Sequence, residues 1–118
     1  MKIALLYPVW TGDYGIFGHF ARRSATWPPL NLALLAAVAM QHGHEVEIID
    51  GQEARLSEEK LVERALALKP DMIGLSAYSP FFHCNTTLAE SIKAKAPDMP
   101  IAIGGPHITI MKEEAFLP

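Results

Sequence analysis

Ile101-Ala102-Ile103-Gly104-Gly105-Pro106-His107 is the stretch of sequence that decides the fold. The apolar run predicts a buried strand, and the glycines after it predict a strand end where another group can approach the backbone closely. A similar unit lies upstream, where Met72-Ile73-Gly74-Leu75 ends at Ser76-Ala77-Tyr78-Ser79-Pro80. Two successive strands therefore end in small or hydroxyl residues, at the carboxyl edge where open α/β sheets bind ligands. The pattern predicts a domain that holds a ligand.

Strand and helix signals alternate along the rest of the chain. A continuous apolar run favours a strand covered on both faces, and an alternating run favours an edge strand. Strands are predicted at Lys2–Pro8, Glu45–Asp50 (the alternating run), Met72–Ser76 and Ile101–Ile103. Helices are predicted at Leu30–Met40, after the N-cap Ser57 with a stripe from Leu61 to Leu68, from Thr86 to Ala96, and in the last eight residues.

This order of elements predicts an α/β fold: a Rossmann-like, flavodoxin-like, doubly wound parallel sheet. The expected strand order is 2-1-3-4, and the flavodoxin-like order would add a fifth strand beyond strand four. That strand is missing and the chain stops within an element. We therefore expect residues 1–118 to be one domain, incomplete at its C-terminus and part of a longer protein.

The amino-acid composition argues against several classes of function. Ten lysines and arginines against 13 acidic residues give a net charge of −3, which argues against a nucleic-acid partner because such proteins usually carry a basic face. The single cysteine, Cys84, allows neither a disulfide nor a cysteine-ligated metal cluster. The apolar runs are too short for a membrane span. Leu30–Met40 is expected to be buried on nearly all faces, and the chain is expected to be cytoplasmic.

The loop after the first strand, Val9–Pro28, is far longer than the usual two to six residues. It contains Trp10 and Trp27, and two interpretations stay open. The aromatic residues could form a wall beside a flat ligand, or they could fold back over the sheet. The loop lacks the G-x-G-x-x-G sequence of nicotinamide-binding domains, and Thr11-Gly12-Asp13 is a poor phosphate loop because no helix follows it directly.

Several segments together resemble the N-terminal cobalamin-binding domain of B12-dependent radical SAM proteins. That group includes the anaerobic magnesium-protoporphyrin monomethyl ester cyclase and many methyltransferases. The resemblance covers nearly the whole chain except the loop tip between Trp10 and Thr26. Its segments are Trp27-Pro28-Pro29-Leu30, Gly43-His44-Glu45-Val46, Ile49-Asp50, Lys69-Pro70-Asp71, Gly74-Leu75-Ser76 and Ile103-Gly104-Gly105-Pro106-His107.

The resemblance implies which residues contact the cofactor. Ser76-Ala77-Tyr78 matches the family's serine segment after strand three, and Gly104-Gly105 matches its glycine pair after strand four. Pro106 and His107 follow that pair and are expected at the same edge. The family's first element, Asp-x-His-x-x-Gly, is altered, because Asp13 is present but Gly15 stands where the cobalt-ligating histidine should be. The resemblance therefore implies cobalamin bound without a protein imidazole at this position.

The expected function is that of a cobalamin-binding module with no catalytic or metal-ligating residue of its own. S-adenosylmethionine and a [4Fe-4S] cluster would belong to a downstream radical SAM domain, which would be the partner and would carry methyl transfer or oxidative cyclisation. No nucleic-acid or membrane partner is expected, and the uncovered fourth strand could pair in a dimer. The alternatives are a degenerate, non-catalytic scaffold or docking module and, less favoured, a flavodoxin-like FMN binder.

Overall fold

Strands and helices alternate along the part of the chain that this computed structural model describes, residues 1–10, 15–20 and 28–117. A short 3-10 turn at Ser79–Phe81 precedes the third helix, and another at Lys112–Phe116 follows the fourth. The strands are β1 (Lys2–Tyr7), β2 (Glu45–Asp50), β3 (Met72–Ser76) and β4 (Ile101–Gly104), and the helices are α1 (Leu30–Gln41), α2 (Glu58–Ala67), α3 (Phe82–Lys95) and α4 (Pro106–Met111).

The four strands form one sheet in the order β2-β1-β3-β4, and all three pairings are parallel. In the register, Gly74 lies beside Leu5 and Ala102, and Ser76 lies beside Gly104. The predicted fold class and strand order are confirmed. Because all strands run in one direction, their carboxyl ends share a single edge, and this brings the ends of β3 and β4 together.

The two faces of the sheet are covered to different extents. On one face, α2 and α3 pack on residues such as Ala4, Leu6 and Ile73 and form the larger core. On the other face, the smaller core joins residues of β1 to Leu32 and Ala36 of α1. Side chains alternate between faces along a strand, so Gly74 and Ala102 lie on the α1 face. Ala102 is exposed, which shows that the described helices leave this face uncovered over β4.

Helix α1 corrects one expectation. Only Leu32 and Ala36 of this helix are buried, whereas Leu34 and Leu35 have 69% and 54% of their surface exposed. The prediction of burial on nearly all faces was therefore wrong for the described structure. An apolar composition indicates which faces can be buried, but the neighbouring elements decide which faces are buried.

Helix α3 corrects a second expectation, the residue at which the helix begins. It begins at Phe82, earlier than the predicted Thr86, because Pro80 lies in the 3-10 turn that leads into the helix. Proline is well tolerated at the start of a helix, where its missing N–H would have no partner. The spacing of Thr87 and Glu90 predicts a capping box, but this is wrong because the Thr87 hydroxyl donates to the His83 carbonyl oxygen within the helix.

Helix α2 follows its sequence signals closely. Ser57 Oγ accepts a hydrogen bond from the Lys60 amide at 3.3 Å, which confirms the predicted N-cap. Leu61, Val62 and Ala65 of the predicted stripe are buried. In the described ranges, no helix has both the length and the apolar character needed to cross a membrane.

Candidate functional site

The ends of β3 and β4 are joined by backbone hydrogen bonds that continue past the strands. The Ala77 N–H donates to the Gly104 carbonyl oxygen at 2.8 Å, and the His107 N–H donates to the Ala77 carbonyl oxygen at 3.2 Å. Ser76 and Ala77 are buried, and Tyr78 beside them is 38% exposed. The structure therefore brings the two predicted segments together at the carboxyl edge, with Pro106 starting α4 directly after the glycines.

The two glycines at this edge have different roles. Gly105 has φ +102°, and a Cβ there would lie 2.8 Å from the Ala77 carbonyl oxygen and 2.9 Å from its nitrogen. Only glycine tolerates that conformation and that approach, so Gly105 is needed to pack β4 against β3. A Cβ on Gly104 would meet no heavy atom within 4 Å. Gly104 is therefore the glycine that leaves open space.

An open groove of about 570 Å³ lies on the α1 face of the sheet, and we call it the edge groove. Its size falls within the range of small-molecule sites, and its lining is mostly apolar with few polar groups, as is usual for such sites. On the sheet its lining includes the small residues Gly74, Ser76, Ala102 and Gly104 together with larger apolar residues such as Leu5 and Met72, and on α1 it includes Asn31, Leu34, Leu35 and Val38. A flat group can therefore come close to the backbone of β3 and β4.

The polar feature of the edge groove is a pair formed by Ser76 and Asn31. Ser76 is 5% exposed, and its Oγ accepts a hydrogen bond from Asn31 Nδ2 at 2.5 Å. Asn31 lies in the first turn of α1, which starts at the carboxyl edge because the helix follows β1. Asn31 is not among the site residues predicted from the sequence. The available signal was a polar side chain at the start of an otherwise apolar helix.

Aromatic side chains lie beside the strand ends. The ring of His107 stacks on Phe82 with centroids 4.3 Å apart, and its Nδ1 lies 3.0 Å from Ser79 Oγ. Trp10 packs against Phe81 with centroids 4.7 Å apart. The start of the loop after β1 thus contacts the turn after β3. Trp27 lies outside the described residues, so both interpretations of the loop stay open. Sequence reasoning missed Phe82 and Ser79 as the partners that hold His107.

We expect the phenol of Tyr7, at the end of β1, to make the folded domain less stable at alkaline pH. Burial raises the pKa of its phenol above the ordinary 10.0. The fold therefore favours the neutral phenol, and this stabilisation is complete below pH 10 and is lost as the pH rises through the folded-state pKa. We expect Tyr7→Phe to lose less stability than the unmodified chain between about pH 9.5 and 11. Urea unfolding of both proteins across that pH range measures the free energy of unfolding. Identical losses in the two proteins would contradict this prediction.

The first predicted element lies only partly within the described residues. Asp13 lies outside the described residues. Gly15 has φ +53°, and a Cβ there would meet nothing within 4 Å. It starts a short helical segment, residues 15–20, in which His19 is exposed. Glycine has no side-chain donor that could bind a metal.

Comparisons with known proteins match the sequence of this chain to a family. A model of the B12 binding domain matches residues 18–117. The anaerobic magnesium-protoporphyrin IX monomethyl ester cyclase of Rubrivivax gelatinosus is 32% identical over 112 residues, which are 94% of this chain and 19% of that protein. An uncharacterized methyltransferase of Pyrococcus horikoshii is 32% identical over 88 residues, 75% of this chain and 19% of that protein.

A second cyclase of the same name, from Cereibacter sphaeroides, is 27% identical over 112 residues, 94% of this chain and 17% of that protein. The chain thus spans about a fifth of the length of these curated relatives. No solved structure matches it with significant similarity. The family match covers most of the chain and includes the ends of β3 and β4, so the resemblance drawn from the sequence is confirmed and the chain belongs to the B12-binding domain family.

Proposed function

We propose that this chain binds cobalamin at the carboxyl edge of its sheet and that the edge groove receives the nucleotide tail of the cofactor. The observation that carries the proposal is the groove itself. It is open over β3 and β4, small residues line it on the sheet, and the buried Ser76 hydroxyl lies among them. Family membership supplies the cofactor class, and the groove supplies a place for the tail.

The residues present fit such a group. A nucleotide has a flat base, which needs an apolar slot without projecting side chains, and polar atoms that need a few hydrogen-bonding partners. Ala102 and Gly104 keep the sheet side of the slot low over β4, and Leu34 and Leu35 of α1 form an apolar wall. Ser76 offers a hydroxyl near the strand end. These residues would hold the tail, and Tyr78 and His107 would border it.

The cobalt would receive no ligand from position 15. The altered element places Gly15 in open space, so the family's histidine ligand has no counterpart there. Bound cobalamin supplies the chemistry of a cobalt–carbon bond or of a redox-active cobalt. The residues of this chain bind and orient the cofactor. We propose that methyl transfer or oxidative cyclisation is carried by a radical SAM domain of a longer protein, with its own S-adenosylmethionine and [4Fe-4S] cluster.

A docking module is the second candidate, favoured by the exposed apolar surface of α1. Leu30, Leu34, Leu35 and Met40 each expose more than half of their surface, which is unusual for a helix that serves only this core. In this alternative the edge groove holds a protein segment and binds no corrinoid. Ligand titration separates the two candidates, because a docking module would show no change on addition of cobalamin.

We expect the chain to bind hydroxocobalamin and to retain it on a desalting column. Titration followed by visible absorption should show a saturable spectral change, because the corrin ring moves from water into a protein environment. Cobinamide, a corrinoid without the nucleotide, serves as the matched ligand. It should bind at least about tenfold more weakly, because it forfeits the contacts in the edge groove.

Two results would overturn the proposed function. One is a folded chain, verified by circular dichroism, that shows no spectral change and loses all cofactor on desalting. The other is equal affinity for hydroxocobalamin and cobinamide, which would leave corrinoid binding but remove the edge groove from it. Heat-denatured protein controls for non-specific adsorption of the corrinoid.

A further inference from the structure

We infer that the edge groove selects corrinoids by the base of their nucleotide, so that it accepts an apolar base such as 5,6-dimethylbenzimidazole and disfavours a polar base such as adenine. Val38 of α1 and Ala102 of β4, which both line the groove, are the residues assigned to this selection. The inference rests on the proposed function and deepens it, because it names the class of corrinoid that the groove binds.

The edge groove runs from the carboxyl edge of the sheet toward the opposite edge. On the sheet its lining extends from Ser76, the last residue of β3, to Met72, the first, which is about 13 Å along the strand. On α1 it extends from Asn31 in the first turn to Val38 in the third, which is about 10 Å along the helix. The groove is therefore deep enough for a base of two fused rings that enters at the carboxyl edge.

The polar side chains of the described groove lie at its outer end. They are Asn31 and Ser76, and both are at the carboxyl edge. Farther in, the lining side chains are apolar, with Val38 on the helix and Leu5 on the sheet. Leu5 covers Gly74, where a Cβ would lie 2.6 Å from Leu5 Cδ2. The side chains of the inner groove therefore cannot form hydrogen bonds with a ligand.

The backbone around the inner groove is already hydrogen-bonded. Strand β3 pairs with β1 on one side and with β4 on the other, so its N–H and C=O groups are used within the plane of the sheet. The corresponding groups of α1 are bonded along the helix except in its end turns. A polar atom of a ligand in the inner groove would lose its hydrogen bonds to water without replacement, and this loss lowers affinity.

The two bases differ at the end that enters the groove first. Each is attached to its ribose through the five-membered ring, so the six-membered ring reaches the inner groove. In 5,6-dimethylbenzimidazole that ring carries methyl groups, which gain free energy from burial. In adenine it contains ring nitrogens and carries an amino group, which would be buried without partners. Val38 is 45% exposed and Ala102 is also exposed, so both residues have surface available for contact with the base.

Titration with two corrinoids tests the selection. We expect hydroxocobalamin to bind at least about tenfold more tightly than hydroxopseudocobalamin, in which adenine replaces dimethylbenzimidazole. Val38→Gln should reduce this ratio of affinities about fivefold, because the new amide gives adenine a hydrogen-bonding partner and removes apolar contact from the methyl groups. Met40→Gln is the matched control and should leave the ratio unchanged, because Met40 is an exposed residue of the same helix outside the lining of the groove.

The outcomes distinguish this inference from the proposed function. If the unmodified chain does not retain hydroxocobalamin, or binds cobinamide equally well, the proposed function fails and the inference falls with it. If the proposed function holds, equal affinity for the two corrinoids overturns the inference alone. So does an equal reduction of the ratio in Met40→Gln, or a ratio that neither Val38→Gln nor Ala102→Ser reduces. Ala102→Ser adds a hydroxyl on the sheet side, and it decides by the same ratio should Val38→Gln fail to fold by circular dichroism.

Discussion

Gly105→Ala is expected to destabilise the domain by about 3 kcal/mol, a large part of the stability of a domain of this size. The added Cβ would lie 2.8 Å and 2.9 Å from the oxygen and nitrogen of Ala77. Both are backbone atoms at a strand end, so they cannot move aside as a flexible side chain could. The conformation at φ +102° adds a penalty of its own for any residue with a Cβ. Thermal unfolding should show a midpoint lower by roughly 10–20 °C.

Gly104→Ala is the matched control for this prediction. The substitution is chemically the same one residue earlier, but its Cβ would meet nothing within 4 Å. Its effect on stability should stay within about 0.5 kcal/mol, the usual range for substitutions away from packed features. Equal midpoints for the two variants would show that Gly105 is not packed against Ala77 as the structure describes.

The sequence predicted the sheet well because the relevant signals are local. The apolar run of β1, the alternating run of β2 and the polar or glycine residues after β3 and β4 each reflect the surroundings of one strand. With helices between the strands, right-handed crossovers leave few possible strand orders. Burial of Leu61 and Val62 likewise followed from helical periodicity.

Other features depended on which elements meet in space. Asn31 and Ser76 are far apart in sequence, and nothing in the local sequence of either residue indicates the other. The exposure of Leu34 could not be predicted from the apolar character of α1, because burial requires a neighbour on that side. The predicted start of α3 at Thr86 was too late, because the turn that contains Pro80 leads directly into the helix and proline is compatible with a helix start.

The pair Gly104 and Gly105 shows most directly what could not be predicted from the sequence. Gly104 and Gly105 are adjacent and identical in chemistry, so the sequence analysis gave both the same role in making room for a ligand. Their backbone angles and neighbours differ, since only Gly105 has a positive φ. One glycine is needed by the fold, and the other faces open space at the edge groove.

Gly104→Val is expected to abolish most cofactor binding without harming the fold. The valine side chain would project from the sheet into the edge groove, where it would occupy space that the proposed nucleotide tail needs. Because Gly104 has no positive φ and its Cβ direction is open, the folded chain should tolerate valine, a residue favoured in strands. Affinity for hydroxocobalamin should fall at least about tenfold, to the level of cobinamide, because a displaced tail forfeits its contacts in the edge groove.

The graded series Gly104→Ala, then Gly104→Val, should lower affinity stepwise while the unfolding midpoint stays nearly constant. Cobinamide should bind both variants as it binds the unmodified chain, because it has no nucleotide to collide with the new side chain. If Gly104→Val kept full affinity for hydroxocobalamin, the tail would have to lie elsewhere and the edge groove would be left to a docking partner. A loss of affinity for both ligands together would instead place the corrin ring itself over Gly104, since the two ligands share only that part.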